Sequence, residues 1–551
     1  MWVRNLLFVS LCLIALAGLA ASLLHFDRQE TPAGFEADRY EQDSYRHVIE
    51  QVNAEWREHW VKAEVQSAPR ADDLTIARRL ALSLSGTVPS LEEIRRLEEL
   101  PSEERLEWQL SSLLVDQRYA DYLAERLART YVGTENGPFL SYRRRRFLIW
   151  LAERLHENTP YDEIVRPLIC DDGLWTDSPA VNFVTVTLDQ NNDNQPDPIR
   201  LAARTTRAFL GIRIDCLQCH DNNMEDEGRN LGTEEEPREG LQRDFHQLAA
   251  FFSETQSTFF GVKDNNKEEY KVTYLGEIDE TEVPAVPPFS EELLIASGTR
   301  RQRLAEWVTH PENKPFARAF VNRIWALMFG KPLVEPIDDI PLFGKYPPGL
   351  ETLAADFTAN KYDLQRLIRV IAGTEVYQCA SRADFEIEQK HEDNWAVFPL
   401  TRLRPEQVAG GIIQSASLKT IDANSNIFAK LGRFGSQNEF IKRYGDTGED
   451  EFDERAGTIA QRLLMMNGRL VKDRTKQDLI NNAATKIAQL SPSSEKAVET
   501  AYLTTLTRRP SKVEMEHFTM RLDKATGDSR IECLEDLYWV LLNSTEFSWN
   551  H

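Results

Sequence analysis

The residues with the clearest chemical meaning are two cysteines and a histidine in one short run. The run is Cys216-Leu217-Gln218-Cys219-His220, a C-x-x-C-H motif. Two thiols at this spacing can bond to the two vinyl groups of a porphyrin, and the histidine that follows can bind its iron. The motif predicts a c-type haem, with Cys216 and Cys219 as thioether anchors and His220 as the ligand of the haem iron.

The same residue types are compatible with two other kinds of site. Cys216 and Cys219 could form a disulfide or a redox pair, because C-x-x-C is also a redox motif. A zinc ion could be held by the two cysteines together with His220 and His246. Structural zinc needs four nitrogen or sulfur ligands, and the chain has no second C-x-x-C.

A second axial ligand for the haem iron has two candidates. His246 lies in Asp244-Phe245-His246-Gln247, and Met224 follows the motif by four residues. His246 precedes an apolar run that ends at Phe252, so the alternative for His246 is a packing role at the edge of a core. The alternative for Met224 is an ordinary loop residue.

The segment that follows the motif is strongly acidic. Asp221 to Gly240 contains eight acidic residues and two arginines. One interpretation is a solvated loop. The other is a surface that steers a basic electron-transfer partner toward the haem edge, since complementary charge accelerates encounter.

The N-terminal segment has the pattern of an export signal. Arg4 precedes an apolar run from Leu6 to Leu24 that is interrupted only by small polar residues. A run of this length can be a signal peptide or a membrane anchor. We expect an extracytoplasmic protein, periplasmic or secreted, that contacts a membrane only through this segment. Covalent haem attachment of this type takes place in the same compartment.

Composition excludes several classes of protein. The chain has 551 residues, with 65 basic against 88 acidic residues and a net charge of −23. Nucleic-acid binding is not expected, because it depends on cationic neutralisation of phosphates. Motifs for common hydrolases, P-loop proteins and dinucleotide-binding folds are absent, so no catalytic residue is predicted. The sequence does not indicate an oligomeric state.

The periodicity of apolar residues predicts a mainly α protein with two helical domains. Helical spacing is clear from Leu74 to Leu84, and Pro315 and Gly330 bracket another helix. Strand-like alternation is limited to Val181–Leu188 and Tyr270–Leu275. The predicted domains are a signal or anchor (1–24), a domain with the C-x-x-C-H motif (45–262), a linker or small β insert (263–292) and a C-terminal helical domain (293–551).

Several motifs resemble a known family from about residue 45 to the end. The stretches 211–221 and 244–252 resemble the planctomycete cytochrome-c-like domain of unknown function. Later stretches resemble the domain that usually follows it: 316–325, 333–339, 403–407, 466–468 and 541–547. The family pattern typically runs C-H-x-H-P, whereas this chain has Asn222 at the second histidine. If that histidine helps to bind haem or a metal, weaker binding is expected here.

The resemblance implies an exported, mainly helical protein named for a presumed c-type haem. Together with the motif it favours electron transfer, or a redox module of a larger system. The main alternative is a non-haem extracytoplasmic scaffold or partner-binding protein with a Cys216–Cys219 disulfide. A third is a metal-dependent hydrolytic or carbohydrate-processing enzyme that uses His220 and the acidic residues after it.

Overall fold

The computed structural model of the protein describes residues 31–551 with nine internal gaps. The gaps are 135–141, 189–192, 223–229, 233–234, 266–268, 423–438, 446–451, 453–457 and 480–481. The predicted N-terminal signal or anchor, residues 1–24, and Met224 lie outside the described residues. Within the described ranges, no helix is both long and apolar enough to cross a membrane.

The structure is mainly α, as predicted, and is 58% helical. Among the described residues, nine α-helices precede the C-x-x-C-H motif. They are α1 (Asp43–Lys62), α2 (Asp73–Ser85), α3 (Leu91–Glu99), α4 (Ser102–Leu114), α5 (Gln117–Val132), α6 (Arg144–His156), α7 (Tyr161–Cys170), α8 (Asn182–Thr185) and α9 (Pro198–Thr205).

The described helices after the motif include both long packing helices and short connecting ones. They are α10 (Gln242–Ala249), α11 (Arg300–Val308), α12 (Lys314–Phe329), α13 (Leu350–Ala359), α14 (Leu364–Gly373), α15 (Glu375–Gln378), α16 (Gln389–Asp393), α17 (Pro405–Ser415), α18 (Ile459–Asn467), α19 (Arg469–Thr475), α20 (Ala483–Leu490), α21 (Ser494–Leu506), α22 (Lys512–Asp523) and α23 (Asp528–Leu542).

The described strands form four small antiparallel pairs. The pairs are β1 (Asn230–Gly232) with β2 (Pro237–Glu239), β3 (Thr255–Thr258) with β4 (Gly261–Asp264), β5 (Lys271–Val272) with β6 (Thr281–Glu282), and β7 (Thr401–Arg402) with β8 (Trp549–Asn550). The β5–β6 pair lies inside the predicted linker or β insert. Among the described strands, every ladder has only two strands, so helix packing forms the cores.

Local signals explain where several helices begin and end. Ser90 and Glu93 form a reciprocal capping box at the start of α3. α12 has Pro315 in its first turn and ends at Gly330, which has a φ of +84°. A side chain at Gly330 would also meet Thr401, since the closest approach of a Cβ there is 2.2 Å.

One strand prediction is wrong. Val181–Leu188 contains β-branched residues and reads as alternating, but the structure has a 3₁₀ turn at Pro179–Val181, then α8 and a turn. Val181, Phe183 and Val184 are all buried, so the segment does not have one buried and one solvated face. Burial of consecutive side chains outweighs the strand propensity of valine and threonine here. The second prediction, Tyr270–Leu275, contains the short strand β5.

Two large hydrophobic cores organise the described residues, and a small third cluster contains Ala77, Leu97 and Trp108. The larger core runs from Tyr45 to Phe398 and includes residues on both sides of 263–292. For example, the ring of Tyr161 in α7 stacks on Phe320 in α12 with centroids 3.6 Å apart. The smaller, C-terminal core contains residues from Leu403 to Phe547, together with Leu82 and Val88 near the end of α2. The apolar packing therefore continues across the predicted boundary, and the division into separate folding units at 263–292 stays a prediction.

Candidate functional site

The C-x-x-C-H motif follows a helix whose last turn is wider than an α-helical turn. α9 continues into a π-helical turn, Thr206–Leu210, which stops at Gly211 with a φ of +64°. A Cβ at Gly211 would lie 3.1 Å from both the Cβ of Ala319 and a methyl carbon of Ile340. Glycine therefore suits this position both for its left-handed backbone and for the close packing against α12.

A 3₁₀ turn brings the two cysteines to one side of the chain. The turn spans Asp215–Gln218, and the backbone N–H of Cys219 donates to the Cys216 oxygen at 3.2 Å. Residues three apart are nearly eclipsed in such a turn. Cys216 is half-buried and Cys219 is exposed. Leu217 between them is fully buried and anchors the turn in the larger core.

His220 directs one ring nitrogen to the main chain. Its Nδ1 lies 2.7 Å from the carbonyl oxygen of Asp221, and the residue is exposed. Because a carbonyl oxygen only accepts hydrogen bonds, Nδ1 carries the proton and Nε2 keeps its lone pair. A bond from the second ring nitrogen to a backbone carbonyl is the usual way in which metal-ligating histidines are oriented.

His246 is held as a neutral packing residue. It lies on α10, is 2% exposed, and its Nε2 donates to the carbonyl oxygen of Gln218 at 3.1 Å. Its Nδ1 lies 3.0 Å from the hydroxyl of Tyr270 and accepts that proton. Burial lowers the pKa of His246 and raises that of Tyr270 to about 12, so both groups keep these roles near neutral pH.

Gln242 braces the same turn from the start of α10. Its Nε2 donates to the Gln218 oxygen at 3.0 Å, and its Oε1 accepts from the backbone N–H of Leu275 at 3.0 Å. Its own backbone N–H donates to Asp221 Oδ1 at 2.7 Å. The Gln218 carbonyl thus receives two side-chain donors, which fix the centre of the C-x-x-C-H turn.

Asn222 is built into the fold rather than presented as a ligand. It is buried, and its backbone N–H donates to the Gly240 oxygen at 2.9 Å. This contact closes the acidic segment 221–240 at its base. Part of that segment lies outside the described residues, so its predicted role as a partner surface stays a prediction.

The structure brings Cys216, Cys219 and His220 together and places His246 behind them. The donor set suits a covalently held haem, since two cysteines three residues apart lie along one 3₁₀ turn and the imidazole next to them is exposed. His246 makes no ring nitrogen available, because both of its nitrogens are hydrogen-bonded. The described part of the chain contains no cluster of three or more histidine, cysteine or acidic side chains arranged to hold a metal ion.

The remaining described cysteines lie elsewhere. Cys379 is buried, while Cys170 and Cys533 are half-buried, and no disulfide joins any of the five described cysteines. Burial raises the pKa of Cys379 to about 12 and that of Cys170 to about 11. Cys170 and Cys379 are therefore poor nucleophiles at neutral pH.

Two sets of supporting residues were not predicted from the sequence. Gln242 and Tyr270 fix the turn and His246, and an ion-pair group joins the segment before Cys216 to the segment around Asp338. The relevant stretches, 211–215 and 333–339, do belong to the motifs that resemble the family. Their contact across more than one hundred residues of sequence has no local signal.

Two models of known protein families match parts of the chain. A model named PSCyt2, described as a protein of unknown function (DUF1549), matches residues 51–257. A second, PSD1, also described as a protein of unknown function (DUF1553), matches residues 300–431. Residues 51–257 and 300–431 thus each match one of these families. They are the planctomycete cytochrome-c-like domain and its C-terminal companion, as the sequence motifs predicted.

The boundaries of the two matched domains do not coincide with the boundary between the two large hydrophobic cores. The companion domain includes α11 to α15, which pack in the larger core, and α17, which packs in the C-terminal core. No curated protein and no solved structure matches the chain.

Proposed function

We propose that this chain is an exported protein that binds a c-type haem covalently through Cys216 and Cys219 and transfers electrons. The observation that carries the proposal is the C-x-x-C-H turn itself, in which the Cys219 N–H bonds to the Cys216 oxygen and the exposed His220 follows directly. The apolar N-terminal run supports export to the compartment where such attachment takes place.

The two thiols provide the covalent attachment. Each thiol adds across one vinyl double bond: its sulfur bonds one carbon, its hydrogen goes to the other, and no atom leaves. Cys219 is exposed, and Cys216 is half-buried against the larger core. Buried Leu217 between them anchors the turn in that core.

His220 provides the axial ligand. Its Nδ1 is held by the Asp221 carbonyl, so its Nε2 is the atom that binds the iron. A c-type haem supplies one-electron transfer at its iron when it is bound. A second axial ligand from Met224 stays a prediction, since that residue lies outside the described part of the chain.

The charge of the chain indicates the kind of partner. The net charge of −23 and the acidic segment 221–240 next to the motif favour a basic electron-transfer protein over an acidic one. Such attraction is screened by salt, so the association rate should fall as ionic strength rises.

The test is to express the full chain with its N-terminal segment in a bacterium that carries c-type haem attachment machinery. The denatured protein should retain haem, with the absorption bands of a reduced c-type haem. Cys219→Ala should weaken covalent retention, and His220→Ala should retain the haem but change iron ligation. The controls are Cys533→Ala, a half-buried thiol, and His517→Ala, an exposed histidine, and neither should alter the spectrum.

The contrary result is equally specific. A folded, exported protein without covalent haem, whose Cys216 peptide is lighter by two hydrogens because of a bond to Cys219, contradicts the proposal. That result would assign the chain to the alternative class, a non-haem scaffold or partner-binding protein with a disulfide in the motif.

A further inference from the structure

One carboxylate of the companion domain joins two arginines of the cytochrome-c-like domain. Asp338 Oδ2 accepts from Arg207 Nε at 2.8 Å, and Asp338 Oδ1 accepts from Arg213 Nε at 2.8 Å. A second nitrogen of Arg213, Nη2, lies 2.7 Å from the same Oδ1. Such charge-assisted contacts are stronger than neutral hydrogen bonds and fix orientation.

Both arginines lie in the short stretch that leads into the motif. Arg207 is in the π-helical turn, and Arg213 is three residues before Cys216. The same stretch is held by a main-chain bond, since the Ile340 N–H donates to the Gly211 oxygen at 2.7 Å. The companion segment Asp338–Ile340 thus contacts the entry to the C-x-x-C-H turn at three points.

Asp215, the first residue of the 3₁₀ turn, also contacts Arg207. Its Oδ2 lies 3.6 Å from Arg207 Nη1, and its Oδ1 is buried without a hydrogen-bond partner among the described residues. Burial raises the pKa of Asp215, and Arg207 acts against that effect. Burial also acts to raise the pKa of Asp338, but the bonds from Arg213 and Arg207 outweigh burial and lower it. Asp338 is therefore the stronger of the two carboxylate partners of Arg207.

We propose that Asp338 is a positioning residue of the C-x-x-C-H site, which is therefore completed by the companion domain. This inference rests on the proposed function, in which Cys216, Cys219 and His220 are the working residues. Without the Asp338 carboxylate, Arg213 loses the oxygen that its Nε and Nη2 both contact, and Arg207 pairs with Asp215 instead. The stretch from Gly211 to Asp215 then opens, and the half-buried thiol of Cys216 becomes more accessible.

The experiment measures site-resolved alkylation of haem-free full chain by iodoacetamide, with each cysteine peptide quantified by mass spectrometry. Asp338→Asn should raise the alkylation rate at Cys216 by about threefold or more, because local opening controls the reaction of a half-buried thiol. The rates at Cys170 and Cys533, both half-buried and away from the motif, should stay unchanged. Asp338→Glu, which keeps the charge, should restore the slow rate.

A matched variant provides the control. Asp356→Asn removes an equally buried carboxylate of the companion domain, since the side chains of Asp356 and Asp338 are both 12% exposed. Asp356 pairs with Arg366 at 2.7 Å, and Arg366 also bonds to the Ser44 oxygen of α1, not to the motif. Asp356→Asn should therefore leave the Cys216 rate unchanged.

Two outcomes overturn the inference. One is an unchanged Cys216 rate in Asp338→Asn. The other is an equal rise at Cys170, Cys216 and Cys533, which indicates general loosening instead of local positioning. Because the measurement uses haem-free protein, it gives an answer even when haem attachment fails, so the two proposals can fail separately.

Discussion

His246 donates a hydrogen bond from Nε2 to the main-chain oxygen of Gln218, 3.1 Å away, in the middle of the C-x-x-C-H turn. Since its other nitrogen accepts from Tyr270, the ring has no lone pair left for a metal. The histidine therefore contributes to the site by holding the turn in place, although its sequence position also made it a candidate ligand.

His246→Ala should destabilise the protein without changing iron ligation. The substitution removes the acceptor of the part-buried Tyr270 hydroxyl and one of the two side-chain donors to the Gln218 carbonyl, at a cost of about 2 kcal/mol. Urea unfolding of the haem-free protein measures the loss. Tyr270→Phe removes only one hydroxyl and should cost less, about 1 kcal/mol. A change in the haem spectrum of His246→Ala, with unfolding unaltered, would contradict the bracing role.

Glu406→Gln should strongly destabilise the contact between α5 and α17. Glu406 Oε1 accepts from Arg126 at 3.0 Å and from Arg129 at 2.9 Å, and all three side chains are buried. Loss of the carboxylate charge removes the shared partner of two buried guanidinium groups, of which Arg129 keeps Glu125 at 3.3 Å, so we expect a cost of about 3 kcal/mol. The control is Glu439→Gln, whose partner Arg443 is exposed, with an expected cost below about 1 kcal/mol.

The effect of Glu406 should depend on pH in one direction. Burial acts to raise the pKa of Glu406, but Arg126 and Arg129 outweigh it and lower the pKa below 4.5. The unfolded state therefore binds more protons below pH 4.5, and the stabilisation by Glu406 is lost as pH falls from there. The stability difference between wild type and Glu406→Gln should be constant from pH 5 to pH 7 and shrink below pH 4.5. A difference that grows on acidification would refute this explanation.

Cysteine reactivity should follow burial. Cys219 is exposed. Burial raises the pKa of Cys379 to about 12, so the Cys379 thiol is mostly protonated at pH 8. Because the thiolate is the nucleophile, iodoacetamide should label Cys379 at least about a hundredfold more slowly than Cys219. Mass spectrometry of timed samples gives both rates. Equal rates under native conditions would show that the described burial of Cys379 is wrong.

Cleavage between the two family domains should not separate them. Phe259 and Phe260 at the β3–β4 turn and Leu275 near β5 are strongly exposed, so chymotrypsin should cut here first. The fragments should still elute together in native size-exclusion chromatography. The reason is the shared core, in which Trp56 stacks on Trp325 and Tyr161 on Phe320. Elution as two separate fragments would instead support independent folding on each side of 263–292.

Much of the secondary structure could be predicted because its signals are local. The capping box of Ser90 and Glu93 and the glycine stop at Gly330 each act within a few residues, and the structure has both. The C-x-x-C-H motif and the short stretches that resemble the family are also local signals. The strand prediction for Val181–Leu188 was wrong because the conformation of this segment depends on its burial on all sides. The alternation of residue types does not encode that burial.

The supporting residues of the site depend on distant contacts. Asp338 meets Arg213 across 125 positions of sequence, and Tyr270 meets His246 across a loop. Sequence spacing predicts neither contact, since the packing of loops and domains brings the partners together. The sequence also predicted two helical domains, but it could not reveal that one apolar core would extend from Tyr45 to Phe398.

The most direct test of the central claim is the intact mass of the denatured full chain after export with haem attachment machinery. Addition of two thiols across two vinyl groups loses no atoms, so the mass should rise by that of one complete haem. The peptide that contains Cys216 to His220 should carry that increment, and Cys219→Ala should weaken its retention. An exported, folded chain with no added mass, joined by a Cys216–Cys219 disulfide, would contradict the account.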